Sequence, residues 1–552
     1  MAMLHETSPA VAGLCRDWAR GLVFLVSVCT AGTWAPAQTT APAATRPTTP
    51  ESWNTQWVQA SAGATQARAA QFVDLNRTLA AGPFRNDWQS LQQHQSPDWF
   101  HDAKFGIFLH WGVFSVPAFG SEWYSRNMYQ QGTREFAHHV ATYGPQSSFG
   151  YKDFIPQFRM EHFDPNAWAD LFLRSGARYV IPVAEHHDGF ALYKTDLSPW
   201  NAVAMGPHRD LVGDLEAAVR AHGLHFGVSY HRAEHDWFFD GGRAFNSDVN
   251  DPRFAGFYGP AEERQLESKD DAVLNRDYTF VSEEFRQDWL ARTVEVVERY
   301  HPDLVYFDWW VGFPDFRATQ ERFATFYYNF AAQHAQSVVL FSKYDNMAEG
   351  AGTLDVERGA LSGIQPLPWQ TDTSLSNASW GFVEGDTYKT PEVLLDQLVD
   401  IVSKNGNLLL NIGPRADGTI PEAAQATLVA MGRWLQVNGE AIYGSRPWTL
   451  FGEGPTQIQS GTFQDTHAPA YTPADFRFTT RAGSLYAIEM RWPKDNQAII
   501  HSLKGGTHVV RAVTLVGSRS KLHWQQSEDG LHIQLPAQQT GEYGAVFRIE
   551  LE

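Results

Sequence analysis

From about residue 105 onward, short apolar runs alternate with amphipathic segments of helical period. This is the order expected when parallel strands are each followed by a covering helix. Residues 105–112, 179–187, 226–231, 304–310, 338–344 and 407–413 read as strands, being short, apolar and rich in β-branched or aromatic side chains. The helices between them have legible ends. Asp164-Pro165 supplies a cap and a first-turn proline, Trp168, Leu171 and Phe172 then share one face, and Gly176 ends the element. Thr390-Pro391 opens another helix that presents Leu394, Leu395, Leu398, Ile401 and Val402 and stops near Gly406. A closed ring of eight needs two further strands, and the short stretches 354–358 and 369–372 are where they fit. The fold class expected is α/β, a (β/α)8 TIM-like barrel of about 350 residues. After Pro447-Trp448 the period shortens to two, in 476–480, 485–490 and 509–513, with Gly, Asp, Asn and Pro between. That pattern predicts a C-terminal antiparallel β-sandwich.

The chain divides on this reading into a signal peptide (1–37), a linker and N-terminal helical segment (38–95), the barrel (96–448) and the sandwich (449–552). Arg16 and Arg20 precede an apolar stretch from Gly21 to Cys29, and Ala35-Pro36-Ala37 offers a small-residue cleavage site. The apolar stretch is shorter than the roughly 20 residues that cross a bilayer. A cleaved signal, a secreted or periplasmic protein and no stable membrane insertion are therefore expected. Cys15 and Cys29 are the two cysteines, both inside this leader, so the mature chain would carry no disulfide. A net charge of −19 without a basic run argues against nucleic acid as a partner, because such binding rests on neutralising phosphates. The 20 Trp, 19 Tyr and 36 Phe suit packing against the C–H faces of sugars, although large aromatic cores use the same residues.

In a barrel of this kind the site forms at the C-terminal ends of the strands. Four of the runs end in polar groups: His110-Trp111, Glu185-His186-His187-Asp188, Tyr230-His231 and Asp308-Trp309-Trp310. Asp308, following Leu304-Val305-Tyr306-Phe307, would stand at the barrel mouth on a rigid strand, a position that suits a nucleophile. Its alternative duty is to cap the next helix. Retaining glycoside hydrolysis also requires a second carboxyl group as acid and base, and Glu349, Glu357 and Glu384 lie downstream as candidates. His231-Arg232-Ala233-Glu234-His235 has the spacing of a zinc-peptidase motif. That motif needs a helix, whereas here it follows a strand. His186 and His187, adjacent in a strand, should point to opposite faces. No metal site and no cofactor are expected.

Several segments taken together resemble the α-L-fucosidases of glycoside hydrolase family 29: 99–112, 185–190, 399–414, 416–421 and 437–448, with a looser likeness over 476–493. The resemblance covers about residues 98–448. It implies a barrel followed by a β-sandwich, a fucosylated oligosaccharide or glycoconjugate as substrate, and removal of terminal α-L-fucose by double displacement through a covalent fucosyl-enzyme. It places the nucleophile at Asp308 and, in Leu354-Asp355-Val356-Glu357-Arg358-Gly359, the acid/base at Glu357, with Glu349 in reserve. By the same matching His110, Glu122, Trp123, His186, His187 and Tyr230 line the fucose pocket, and Trp380 is a candidate wall. Hydroxyl-binding groups reject epimers strongly while an apolar wall only mildly favours a methyl, so some α-L-galactoside activity is expected. Two departures stand out. Phe341-Ser342-Lys343-Tyr344 has Lys343 where relatives place a sugar-contacting Arg, a point charge in place of a bidentate fork. Gln370 stands where a Glu is common. Variable loops such as 241–271 would hold the aglycone, the sandwich would buttress the barrel, and no motif fixes the oligomeric state. The rival readings are a non-catalytic fucose-binding protein and a metal-dependent hydrolase.

Overall fold

Eight parallel strands close into a barrel in sequential order, with β8 pairing back to β1. They are β1 (Phe105–Leu109), β2 (Tyr179–Glu185), β3 (His225–Tyr230), β4 (Leu304–Phe307), β5 (Val339–Ser342), β6 (Thr353–Asp355), β7 (Trp369–Ser374) and β8 (Gly406–Ile412). The computed structural model of the protein describes residues 53–264, 281–343, 346–465, 469–506, 508–539 and 541–552. The leader, both cysteines and the linker that follows lie outside the described residues, as do 265–271 of the expected aglycone loop.

Six helices cover the strands: α1 (Pro165–Ser175), α2 (Leu211–Ala221), α3 (Glu283–Tyr300), α4 (Arg317–Gln333), α5 (Pro391–Ser403) and α6 (Glu422–Asn438). Their ends form for local reasons. The Asp164 carboxylate accepts from the amides of Asn166 and Ala167 at 3.0 and 3.1 Å, and Gly176 ends α1 in the left-handed region, where a glycine carries no Cβ penalty. Thr390 caps α5 through the Val393 amide, and that helix ends at Ser403, so Gly406 opens β8 and is not a helix stop. Among the described residues no helix lies between β5 and β6 or between β6 and β7. Those crossings lead into β6 and β7, the two strands that the apolar pattern marked only faintly. Their interior positions are polar: Asp355, Gln370 and Asp372 are all buried.

The barrel floor is a hydrogen-bonded layer. Tyr179 Oη donates to Gln370 Oε1 at 2.9 Å, and Gln370 Nε2 donates to Asp355 Oδ2 at 2.8 Å. The amide both accepts from the phenol and donates to the carboxylate, which an ionised Glu could not do, and this gives the Gln370 departure a physical reason. Gly106 makes room for this layer, since a Cβ there would fall 2.2 Å from the Tyr179 ring.

The C-terminal part forms a five-stranded sheet and a three-stranded sheet. The first runs in the order β13 (Val510–Leu515), β16 (Val546–Leu551), β11 (Ser484–Glu489), β10 (Phe476–Arg481), β9 (Arg446–Glu453); the second is β12 (Gln497–Ile500), β15 (Leu531–Gln534), β14 (His523–Gln526). Phe478, Leu485, Ile500, Leu531, Ile533 and Phe547 make their shared core. Buried Arg477 of β10 reaches Asp400 of α5 at 2.6 Å, and Asp400 also takes Lys404 at 2.7 Å, tying the sheets to the barrel. Among the described residues no helix is long and apolar enough to cross a membrane.

Candidate active site

The C-terminal ends of the strands enclose a cavity of about 470 Å3. Side chains alternate along a strand, so the residues that reach this mouth are set by parity. Phe108 on β1 and His110 just past it, Tyr306 on β4 and Asp308 just past it, and Glu357 and Asp372 after β6 and on β7 line it, together with Glu122, Trp123, His186, His187, His231, Trp309, Trp310 and Trp380. Glu349 and Glu384 do not line it.

Asp308 sits just past β4 and, though it precedes the turn Trp309–Gly312, its side chain caps no amide there. Two imidazoles hold it instead: His231 Nδ1 at 3.3 Å and His187 Nε2 at 3.8 Å. Burial pushes the carboxyl up, but the hydrogen bond and charge of His231, with His187 and Lys343 behind it, outweigh burial and hold Asp308 well below the usual carboxylate range. His187 is backed in turn by buried Glu234, whose Oε2 lies 3.1 Å from its Nδ1. Burial alone would lower the His187 pKa, yet Glu234 and Asp308 raise it. Burial in turn pushes the Glu234 carboxyl up to about 7 against the pull of His187, so Glu234–His187–Asp308 is a buried line in which one imidazole stands between two carboxyl groups.

Glu357 is tuned the other way. Burial is the largest influence and, with Asp372 and Asp308 nearby, pushes it up to about 7 against the pull of Lys343 and the Trp309 indole. Trp309 Nε1 donates to Glu357 Oε2 at 2.5 Å. Asp372, buried beside Asp355, is pushed up to about 8. Two carboxyl groups in one cavity with oppositely displaced pKa values are what a nucleophile and a proton donor require at one pH.

Neutral rings make up much of the remaining wall. His110 Nδ1 donates to Asn411 Oδ1 at 2.8 Å, which fixes the tautomer and leaves Nε2 to accept from a ligand. Burial and neighbouring histidines keep His110 and His186 well below their usual pKa. His186 and His187 both face the cavity, contrary to the expectation that they point apart, because β2 ends at Glu185 and strand alternation stops there. Trp380 stands 5.3 Å from the His110 ring. Its loop is pinned by Glu122, whose Oε2 accepts from Ser379 Oγ and the Trp380 amide, both at 2.9 Å.

Two expected pocket residues lie elsewhere. Tyr230 precedes His231 and so points out of the barrel, where its hydroxyl donates to buried Glu185 at 2.8 Å; His231 takes the mouth position. Lys343 lies beneath the cavity wall, ion-paired to Asp355, Glu357 and Asp372 at 2.6, 3.3 and 3.5 Å. It acts on the carboxyl groups and makes no lining contact. His231, Tyr306, Trp309, Trp310, Asp372, Thr462 and Phe463 line the cavity without having been singled out as binding residues. Strand parity would have preferred His231 to Tyr230 and added Tyr306. The described part of the 241–271 loop adds nothing to the lining, whereas Thr462 and Phe463 come from the C-terminal part expected only to buttress.

Ring nitrogens of His110, His186 and His231 lie within 4.8 Å of one another, as do ligand atoms of His187, His231 and Asp308. Such groups could hold a metal ion, but His231 already meets Asp308 and, at 2.5 Å, Ser229. Glu234 and His235 of the peptidase-like motif join neither group. The segment Arg232–Asp236 is a 3-10 turn, and His235 Nδ1 bonds the His187 carbonyl.

Comparison with known proteins agrees along the chain. Residues 71–440 match the family model described as alpha-L-fucosidase, and 471–550 match the alpha-L-fucosidase C-terminal domain. The tissue alpha-L-fucosidase of Rattus norvegicus is 32% identical over 472 residues, covering 84% of this chain and 91% of that protein. The plasma alpha-L-fucosidase of Homo sapiens is 33% identical over 476 residues, covering 83% and 89%. The crystal structure of Thermotoga maritima alpha-fucosidase superposes with a TM-score of 0.67 at 29% identity, covering 84% of this chain and all of that one.

Proposed function

The chain belongs to the α-L-fucosidase family, and on that premise we propose that it is a retaining exo-α-L-fucosidase in which Asp308 is the nucleophile and Glu357 the acid/base. The observation that carries this assignment is the opposed tuning of two carboxyl groups in one cavity. Asp308 is kept ionised by His231 and His187, and Glu357 is kept protonated near neutral pH by burial among other acids.

The steps follow from those states. The Asp308 carboxylate attacks the anomeric carbon of the fucosyl residue while Glu357 gives its proton to the glycosidic oxygen, so the C1–O bond breaks as the ester bond to Asp308 forms. Glu357, now ionised, takes a proton from water, which displaces Asp308 and regenerates both groups with retention of configuration. His110, His186 and the free oxygen of Glu122 offer acceptors and donors for sugar hydroxyls, and Trp380 offers an apolar face. His187 steadies the nucleophile as its negative charge is lost and regained. Lys343, beneath the wall, limits how far the pKa of Glu357 rises. A non-catalytic fucose-binding role would have no use for this opposed pair. The order of basic, apolar and small residues over 1–37 supports a removed secretory signal. With it go the domain divisions at about residues 95 and 448 and a location outside the cytoplasm.

The test is release of 4-nitrophenol from its α-L-fucoside by the mature protein and by Asp308→Ala. The parent should be active. The variant should lose activity by several orders of magnitude and regain part of it with azide, forming the inverted β-fucosyl azide. An Asp308→Ala protein as active as the parent refutes the nucleophile; an inactive parent that still binds fucose refutes the enzyme.

A further inference from the structure

The chain between β9 and β10 belongs to the C-terminal sheets, yet its middle runs onto the barrel mouth. Gly461 and Ala360 exchange two backbone hydrogen bonds, at 3.2 and 2.9 Å, and the amides of Gln464 and Asp465 donate to the Arg358 carbonyl at 2.8 and 3.0 Å. The Asp465 carboxylate, largely buried, then takes Lys389 Nζ at 2.7 Å, Thr373 Oγ1 at 2.6 Å and Arg358 Nε at 3.2 Å. Between these anchors stands Phe463, whose amide donates to the backbone carbonyl of Glu357 at 3.0 Å.

Phe463 is unusual in two respects. Its φ of 56° lies in the left-handed region that a bulky side chain disfavours. Its ring is 52% exposed and is not among the apolar side chains packed on either main core, although it lines the cavity. An aromatic ring fixed in an unfavourable backbone conformation, on a pinned segment, adds little to folding and is available for binding.

Its position indicates what it meets. Glu357 delivers a proton to the glycosidic oxygen, so whatever that oxygen carries leaves beside Glu357. Phe463 is bonded to the backbone of Glu357 and Trp309 to its carboxyl group, so both rings flank the acid, whereas His110 and His186 stand just past the ends of the first two strands. We infer that Phe463 and Trp309 form a leaving-group site that stacks against the C–H face of a hexopyranose carried by the fucosyl oxygen. The inference deepens the fucosidase reading and rests on it. Phe463 has no donor or acceptor in its side chain, so the platform recognises a ring face and discriminates little among hydroxyl patterns.

The experiment compares kcat/KM on two substrates with one preparation, so that any inactive fraction cancels in the ratio. One is α-L-fucosyl fluoride, whose leaving group has no ring; the other is 2-O-α-L-fucosyl-D-galactose. Phe463→Ala should lose roughly tenfold on the disaccharide, about 1.4 kcal/mol, and stay at the parent value on the fluoride. Phe463→Tyr should restore the disaccharide. Equal losses on both substrates, or no loss on the disaccharide, overturn the inference. A parent inactive on both is a different result, which removes the fucosidase reading itself.

Discussion

Replacing Trp309 by Phe isolates a single hydrogen bond at Glu357, the proposed acid/base. The indole Nε1–H donates to Glu357 Oε2 at 2.5 Å, and a donor to a carboxylate stabilises the ionised form and lowers its pKa. Phenylalanine keeps an aromatic ring next to Asp308 and removes the donor. Hydrogen bonds to charged groups contribute about 1.5–3 kcal/mol, and one pKa unit corresponds to about 1.4 kcal/mol, so the full effect would be roughly one to two units. Trp309 is half-buried, so water can replace part of the lost bond and the lower end, about one unit, is expected. On the proposed mechanism catalysis needs Glu357 protonated, so activity should fall as pH rises through its pKa of about 7. In Trp309→Phe that alkaline limb should move up by about one unit. The acid limb, which depends on Asp308 being ionised, should stay in place. The assay is the pH profile of kcat/KM on 4-nitrophenyl α-L-fucoside for parent and variant. An alkaline limb that stays put or moves down would refute the role given to the indole and, with it, Glu357 as the group titrating there.

Two further substitutions test the geometry away from the reacting atoms. Tyr230→Phe removes the hydroxyl that donates to buried Glu185 and should cost about 1.5 kcal/mol of stability in denaturant unfolding. It should leave kcat/KM unchanged; a selective rise in KM would return Tyr230 to the pocket. Gly106→Ala places a methyl 2.2 Å from the Tyr179 ring and should cost about 1–3 kcal/mol by overpacking the barrel floor. An unchanged melting temperature would mean that this layer is looser than its hydrogen bonds imply.

Much of this protein is written in local sequence. Apolar runs of strand length, caps such as Asp164 and Thr390, and the shift of period after Trp448 are short-range signals, and six barrel strands followed from them. The two that were faint, β6 and β7, carry Asp355, Gln370 and Asp372 toward the interior, so their burial rests on hydrogen bonds and ion pairs with distant strands and leaves no apolar trace. Strand-end residues His110, His186, His187 and Asp308 were visible because a polar group ending an apolar run in a barrel must face the mouth or the outside.

Which of those two it faces is decided by the tertiary structure. Parity sends His231 inward and Tyr230 outward, but parity is known only once the register is known, and the bulge in β2 breaks it before His186. Spacing left Glu349, Glu357 and Glu384 equivalent. Only closure of the barrel brings Glu357 to Trp309 and Lys343 and buries it beside Asp372 and Asp308, the environment that pushes its pKa up to about 7. Lys343 itself looked like a sugar contact because it stands where relatives place a sugar-contacting Arg, yet three carboxyl groups from two other strands and their ends surround it below the wall. Phe463, more than a hundred residues beyond Glu357 in sequence, reaches the site because Asp465 meets Lys389, Arg358 and Thr373. The chain by itself determines which residues can be buried and where elements begin and end. The charge state of each carboxyl and the makeup of the cavity wall depend on distances between strands, and only the closed barrel sets those.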